Sequence, residues 1–485
     1  MLQNKDRIIV SELKDFFTSS EKAINSIFTL LSSLKLSEKY LGIESKNNNE
    51  IRNINKLFFL LLFPFFEIKT PYHYKTSPLY QAFKLGKDIF YRFTNNSLIN
   101  WRNLSYKINI LLIRKTESKS TENETPKCLI IDDTDLPKTG RKIELISRVF
   151  SHVTHTSILG FKGLFMGYFD GKSFFAIDFS LHGEKGKNKK KPYGLTIKQG
   201  KERYSKQRDK FTPSYERKEE YFTTKIQSMI SMIRMAINKG LRFEYVLVDS
   251  WFTCYELVNF IKTRKINTNL IGMLKMGKTR YLFNNKSLTS KEIINLLRKT
   301  KKVKRSKQLS CYYSEALVDY KGIEVKLFFS KTSRRGKWSV LLTTDLSLKF
   351  EQAYKIYAIR WQIEVFFRDS KQYLGLGKNQ SQDFDSQISS TTLTMLQYNI
   401  LSVVKRFSDY ESLGELFRAS KAETIELTVA EKVWLLIIQI LTQIAEFFEI
   451  DLDLLMKKLL TDNQMLVKLK NFNRLLLLNC RACES

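Results

Sequence analysis

The pattern of apolar and polar positions divides the 485-residue chain into stretches of different period. Up to residue 115, apolar residues recur at three- and four-residue spacing over Ile8–Phe17, Lys22–Leu34 and Ile51–Phe66, which predicts helices. The polar run Gly42–Glu50 breaks them. After Ser77-Pro78 a second group reads as two or three short helices, with Asn95-Asn96 as a turn and Ser97 as an N-cap.

The polar segment Glu117–Pro126 reads as a linker, and the period changes beyond it. Lys127–Ile131 predicts a short apolar strand running into Asp132-Asp133-Thr134. Lys162–Phe169 and Lys172–Ser180 predict a hairpin closed by Asp170-Gly171. Glu219–Asn238 predicts a helix stopped by Gly240, followed by the strand Tyr245–Val248, which ends at Asp249-Ser250-Trp251. A helix over Thr253–Thr263 and a strand over Asn269–Lys275 come next. Met276–Lys337 is basic and strand-and-turn-like, Trp338–Thr343 predicts a strand, and Lys349–Leu374 predicts one continuous helix. Gln387–Asn479 is helical in pattern and rich in Leu and Ile. This order resembles an α/β, RNase H-like core interrupted by a strand-rich insertion and flanked by helical regions. The expected divisions are 1–118, 119–275, 276–337, 338–385 and 386–485.

Charge narrows the partner. A net charge of +32 points to a polyanion. Anionic membrane is the competing partner, yet no apolar stretch is long enough to span one. Leu57–Phe66 contains Pro64, and Val433–Ile444 carries Gln439 and Gln443. Early charges and the lack of an apolar run at the N-terminus predict no signal peptide. Five scattered cysteines suggest a reducing compartment, and Cys480 and Cys483 form a lone CxxC with no second pair to complete a zinc site. Basic residues Lys84, Lys87, Arg92, Arg102 and Lys107 alternate with Tyr91, Phe93 and Trp101, which admits a helix-turn-helix DNA reader or a plain packing unit. Gly183–Lys210 holds eleven Lys or Arg against three acidic residues and reads as a flexible, phosphate-tracking loop, with Lys187, Lys189, Lys190 and Lys191 foremost.

The most specific stretch is Tyr357–Lys371, YAIRWQIEVFFRDSK. On a helix, Tyr357, Arg360, Glu364 and Lys371 share a stripe about 60° wide, nearly surrounded by apolar residues. A solvated stripe stitched by the Arg360–Glu364 pair would explain the spacing alone. A helix buried on most sides instead needs a polar partner for that stripe. The spacing Tyr-x2-Arg-x3-Glu-x6-Lys resembles the signature of DDE transposases of bacterial insertion sequences, in the insertion-sequence-four family. The resemblance covers residues 127–385 and requires two strand-end aspartates upstream. Asp249 resembles the second carboxylate and Glu364 the third. Alternation does not choose between Asp132 and Asp133, because a central strand is apolar on both faces. The family pattern places the first carboxylate immediately before a Thr, which selects Asp133. Taken singly, Asp133 reads equally as a turn or cap residue and Asp249 as a helix cap. No Ser-His-Asp set, HExxH or phosphate-binding glycine loop competes, and His152 and His155 read as core or surface polar residues.

The resemblance implies a cut-and-paste transposase that binds terminal inverted repeats, cuts through a hairpin and joins the ends to target DNA. It implies two Mg²⁺ ions per site, replaceable by Mn²⁺, held by Asp133, Asp249 and Glu364. Tyr357, Arg360 and Lys371 would grip phosphates, and Trp338 would stack on a flipped base. Double-stranded DNA and a second copy of the chain are the implied partners, with no membrane and no small-molecule substrate. The implied location is the bacterial cytoplasm, on the nucleoid when acting. The rival readings are an RNase H-like nuclease or resolvase without strand transfer, and a domesticated DNA-binding protein without catalysis.

Overall fold

The computed structural model describes residues 23–44, 51–77, 80, 85–117, 125–186, 188–263 and 267–423. Lys187, the expected helix Ile8–Phe17, the CxxC pair and most of the expected C-terminal helical region lie outside the described residues. The chain forms two units, one of residues 1–29, 63–85 and 414–485, the other of residues 30–62 and 86–413. In the first, the Glu423 carboxylate accepts the N–H groups of Ala23 and Ile24 at 3.0 and 2.8 Å, capping helix α1 (Ala23–Ser33). Tyr74, in the 3-10 turn Pro71–Thr76, is fully buried and stacks on Phe63 at 5.8 Å.

The second unit is a mixed α/β domain. Its leading helices are α2 (Glu38–Leu41), α3 (Asn53–Leu62), α4 (Lys87–Thr94) and α5 (Trp101–Glu117). The strands are β1 (Cys128–Pro137), β2 (Ser147–Ser151), β3 (Thr156–Phe169) and β4 (Phe174–His182), then, after helices α6 (Ile197–Lys201), α7 (Pro213–Glu220) and α8 (Lys225–Asn238), β5 (Tyr245–Val248). Helix α9 (Tyr255–Thr263) leads to β6 (Asn269–Leu274). β7 (Arg280–Phe283), β8 (Lys286–Thr289), α10 (Ser290–Lys299), β9 (Lys304–Ser306), β10 (Cys311–Asp319) and β11 (Glu324–Lys331) fill the basic insertion. β12 (Ser339–Thr343), α11 (Phe350–Ala358), α12 (Trp361–Tyr373) and α13 (Phe384–Arg406) complete the unit.

Among the described residues twelve strands join one sheet, ordered β2-β3-β1-β5-β6-β12-β11-β10-β7-β8, with β4 on β3 and β9 on β10. β1, β3 and β4 form an antiparallel meander, while β5 and β6 run parallel to β1. β1 sits between β3 and β5, and Cys128–Ile131 are fully buried, which is why no alternation shows in their sequence. The insertion is no separate layer: its strands lengthen the sheet beyond β12.

Several elements differ from the pattern-based expectation. β1 continues six residues beyond Ile131, carrying both aspartates inside the strand. The hairpin turn is longer than two residues: Asp170 donates its N–H to Ser173, and its carboxylate accepts from the N–H groups of Lys172 and Ser173. The helix expected over Glu219–Asn238 is two, because Thr224 and Gln227 make a reciprocal capping box that starts α8 afresh. The helix expected over Lys349–Leu374 is also two. Between α11 and α12 the N–H groups of Ile359, Arg360, Gln362 and Ile363 bond three residues back, a 3-10 step.

Helix α5 packs one face into the core. Trp101 is 4% exposed, and Ser105 and Asn109 donate to carbonyls of β4. Arg102 pairs with Asp178 and Glu220 at 2.8 and 2.7 Å. Its N-cap is Asn100, which accepts the Asn103 N–H, rather than Ser97. The segment expected as one flexible basic loop is also partly internal. The Arg208 side chain is fully buried and pairs with Glu144 at 2.7 Å, Asp385 at 3.3 Å and Asp383 at 3.4 Å, and Lys206 pairs with the two aspartates at 3.0 and 2.8 Å. Buried cations demand such partners, and these carboxylates lie too far along the chain for local pattern to reveal them.

Candidate active site

The parallel strands β1, β5 and β6 end on the same side of the sheet, and the candidate carboxylates collect there. Ile131 lies opposite Val248 in register, so Asp249 follows opposite Asp132. Asp132 and Asp133, consecutive in a strand, face opposite ways. Asp132 Oδ2 accepts from Arg360 Nη1 at 2.7 Å, and the same nitrogen reaches Glu364 Oε1 at 3.4 Å. Two residues on, Thr134 Oγ1 lies 2.6 Å from Lys371 Nζ. Tyr357 donates its hydroxyl to the Val248 carbonyl at 3.3 Å, and its ring lies 5.9 Å from the Arg360 guanidinium. The stripe thus finds its polar partner along β1 and the end of β5. Apolar packing behind α12 holds it there, with Phe366 and Phe367 both edge-on to Phe165 of β3.

Asp133 turns to the other face, where its carboxylate accepts from Lys225 Nζ at 2.6 Å. Asp135, on that same face, pairs with Lys162. The structure brings Asp132, Asp249, Glu364, Arg360 and Tyr357 together, while Asp133, near enough to Asp249 to raise its pKa, turns its carboxylate to Lys225.

The electrostatics follow from crowding. Burial, reinforced by the neighbouring Asp249 carboxylate, pushes Asp132 up to about 7 despite Arg360. Burial also raises Asp249; N–H groups from Trp251 and Phe252 oppose this, while Asp133 adds to it. Burial works against the Arg360 charge, but Tyr357, Asp132, Glu364 and Asp249 outweigh it and raise its pKa. Burial lowers Lys371. The donor set, three carboxylates with more negative charge than one guanidinium offsets, suits a hard divalent cation. As the side chains stand, no three His, Cys, Asp or Glu residues among those described are spaced to hold an ion. Arg360 occupies the cationic position between Asp132 and Glu364.

Trp338 precedes β12, half-buried, with Lys331 Nζ 4.9 Å from its ring centre. β12 runs antiparallel to β6, so Trp338 lies at the carboxylate end of the sheet, three strands from β1, or about 14 Å. Lys189, Lys190 and Lys191 are exposed. Two residues here escaped sequence reasoning. Trp251 is 54% exposed, with Lys275 and Lys225 at 4.7 and 5.1 Å from its ring. Lys225 opens α8, where a cation opposes the helix dipole, and that misfit was the signal for an anionic partner.

Residues 83–277 match a family model described as DDE superfamily endonuclease, and residues 206–414 match one described as archaeal putative transposase ISC1217. The region bearing the carboxylates and α12 is thus similar to DDE superfamily endonuclease and transposase domains. No curated protein matches the chain. Among solved structures it is similar to the piggyBac transposase synaptic complex with hairpin DNA, at 12% identity and TM-score 0.36, covering 87% of this chain and 80% of that one. It is also similar to the NurA nuclease from Sulfolobus solfataricus, at 11% identity and TM-score 0.23, covering 57% of this chain and 86% of that one. Neither structural likeness is close enough to carry an argument. Among the described residues no helix is long and apolar enough to cross a membrane.

Proposed function

We propose that this chain is a cut-and-paste DNA transposase of the insertion-sequence-four branch, built on an RNase H-like core. The observation that carries this reading is the Arg360 bridge between Asp132 and Glu364, with Asp249 in register beside Asp132. The matches to DDE superfamily domains and the meander followed by two parallel strands support it. In this reading Asp132 takes the role that the sequence signature gave to Asp133. Asp132, Asp249 and Glu364 would hold Mg²⁺ or Mn²⁺, which supplies charge stabilisation for phosphoryl transfer. Arg360 and Lys371 exchange their present partners for phosphates flanking the cut, and Tyr357 hydrogen-bonds one. Trp338 stacks on a base drawn from the duplex. A homodimer pairs two transposon ends, and the chain acts in the cytoplasm.

The test is a time course on an end-labelled duplex carrying the inverted repeat that flanks the gene, with the full chain and Mg²⁺. Nick, hairpin and strand-transfer products should appear in that order. Trp338→Ala should spare the nick and slow the hairpin roughly ten- to a hundred-fold. Cutting without joining would favour a nuclease or resolvase, and tight binding without cutting would favour a non-catalytic DNA-binding protein.

A further inference from the structure

Asp249 is carried by the turn that follows β5, and that turn is held from two sides. The N–H groups of Trp251 and Phe252 donate to Asp249 Oδ1 at 2.8 and 3.3 Å, and Thr253 Oγ1 donates to the Asp249 carbonyl at 2.8 Å. On one side the turn rests against β6: Gly272 lies opposite Val248, and any Cβ there would collide with Thr253 Oγ1. On the other stands Lys225, the first residue of α8. Its Nζ lies 5.1 Å from the Trp251 ring centre, 5.8 Å from that of Phe252 and 2.6 Å from Asp133 Oδ2. We propose that Lys225 is a positioning residue: anchored on Asp133 of β1, it holds the Trp251–Phe252 turn and so fixes the Asp249 carboxylate beside Asp132. The proposal rests on the transposase reading above and adds to it a residue outside the Tyr-Arg-Glu-Lys signature.

Local energetics disfavour a lysine at this position. The first turn of a helix presents unpaired N–H groups and the positive end of the dipole, which repel a cation. Thr224 and Gln227 already supply the capping box, so α8 does not need Lys225 for its start. The side chain is also held rather than free, at 23% exposure, and ordering its methylenes costs rotamer entropy. A residue that breaks a local preference and is still held in one geometry serves a contact elsewhere in the fold. Neutralising Asp133 would need only closeness to its carboxylate. It does not account for an ammonium placed near two aromatic rings as well. Lys275 Nζ lies 4.7 Å from the same Trp251 ring, and each cation is drawn to the ring's quadrupole. Trp251 is thereby gripped although 54% of it is exposed.

A role through charge and a role through position give opposite signs. By charge alone, loss of Lys225 would leave Asp133 unmatched near Asp249 and tighten a divalent cation held there. Loss of the grip on the turn would weaken it. The measurement is Mn²⁺ binding to the full chain without DNA, followed by the paramagnetic resonance signal of the free ion, beside cleavage of the inverted-repeat duplex. Lys225→Met should weaken Mn²⁺ about ten- to a hundred-fold and slow cleavage, because partners that orient a metal ligand typically matter by that factor. Its Tm should hold or rise, since a cation leaves the helix N-terminus. Lys225→Arg keeps the charge and the affinity for aromatic faces, and should recover most of the loss. The double variant Lys225→Met, Asp133→Asn restores the charge balance without the grip, and should bind Mn²⁺ as weakly as Lys225→Met alone.

Tighter or unchanged Mn²⁺ binding in Lys225→Met, or native affinity in the double variant, would overturn the assignment. So would Mn²⁺ binding that survives Asp249→Ala, because the ion would then lie elsewhere. Should Lys225→Met not fold, Trp251→Leu removes the exposed ring that Lys225 grips and should weaken Mn²⁺ likewise; an unchanged affinity there overturns the proposal equally. Ion binding and cutting are read separately. A chain that binds Mn²⁺, loses it in Lys225→Met and leaves the duplex uncut loses only the transposase reading. One that cuts, with Lys225→Met no weaker for Mn²⁺, loses only the positioning role.

Discussion

The two faces of strand β1 carry similar residues to different ends. On one face Asp132 and Thr134 meet Arg360 and Lys371 of the signature, with Glu364 and Asp249 alongside. On the other, Asp133 and Asp135 meet single lysines, Lys225 and Lys162. The first face crowds carboxylates around one guanidinium and leaves Asp132 raised to about 7. The second matches each aspartate with its own lysine. In the reading proposed above, the chemistry belongs to the face where carboxylates outnumber cations.

The largest expected effect tests that division directly. Asp132→Ala, Asp249→Ala and Glu364→Ala should each lower cleavage of the inverted-repeat duplex by about a thousand-fold or more, since each removes an oxygen ligand. Gel-shift binding should persist in moderate salt, because phosphate contacts remain. Asp133→Ala should cost at most about ten-fold, through the freed Lys225. A dead Asp133→Ala beside an active Asp132→Ala would reverse the two faces and restore the choice made by the sequence signature.

A smaller effect concerns stability. The Asp132 carboxyl goes from an ordinary value near 3.8 to about 7 on folding. The folded state therefore holds more protons between those values, and stability falls as pH rises from about 4 to about 7. Asp132→Asn removes the buried charge, so its Tm should exceed that of the native chain at pH 8 and match it near pH 4. The difference at pH 8 corresponds to at most about 4 kcal/mol. Adding Mg²⁺ at pH 8 should stabilise the native chain and leave the variant unmoved. An equal Tm difference at both pH values would mean that the amide alters packing rather than charge.

Much of this was legible in the chain. The strands β1, β5 and β6, the break at Gly240 and the signature stripe all follow from local periodicity and spacing. Which of Asp132 and Asp133 faces α12 was not legible, because burial on both sides of the strand erases the alternation that would show it. The break between α11 and α12 has no Gly or Pro to announce it. The pairing of Arg102 and Arg208 was not legible, because their carboxylate partners, Asp178, Glu220, Glu144 and Asp385, are distant in sequence. A count of basic residues reports charge and leaves open whether that charge faces solvent or another part of the fold.

The smallest effect separates those two kinds of basic residue on the second face. Lys189, Lys190 and Lys191 are exposed, whereas the side chain of Arg208, eighteen residues after Lys190, is buried among three carboxylates. Each phosphate contact contributes about 0.9 to the slope of log affinity against log salt. Replacing the three lysines with Ala should therefore weaken DNA binding for all sequences alike and flatten that slope by about two to three units, with Tm unchanged. Arg208→Met should do the reverse. It leaves the buried Glu144 without its partner at 2.7 Å, lowering stability by roughly 3–5 kcal/mol while the salt slope of the folded fraction stays as it was. The measurement is a binding isotherm at four salt concentrations for each variant, beside its thermal unfolding. A slope unchanged by loss of the lysines would return Lys189–Lys191 to the role of a solvated surface.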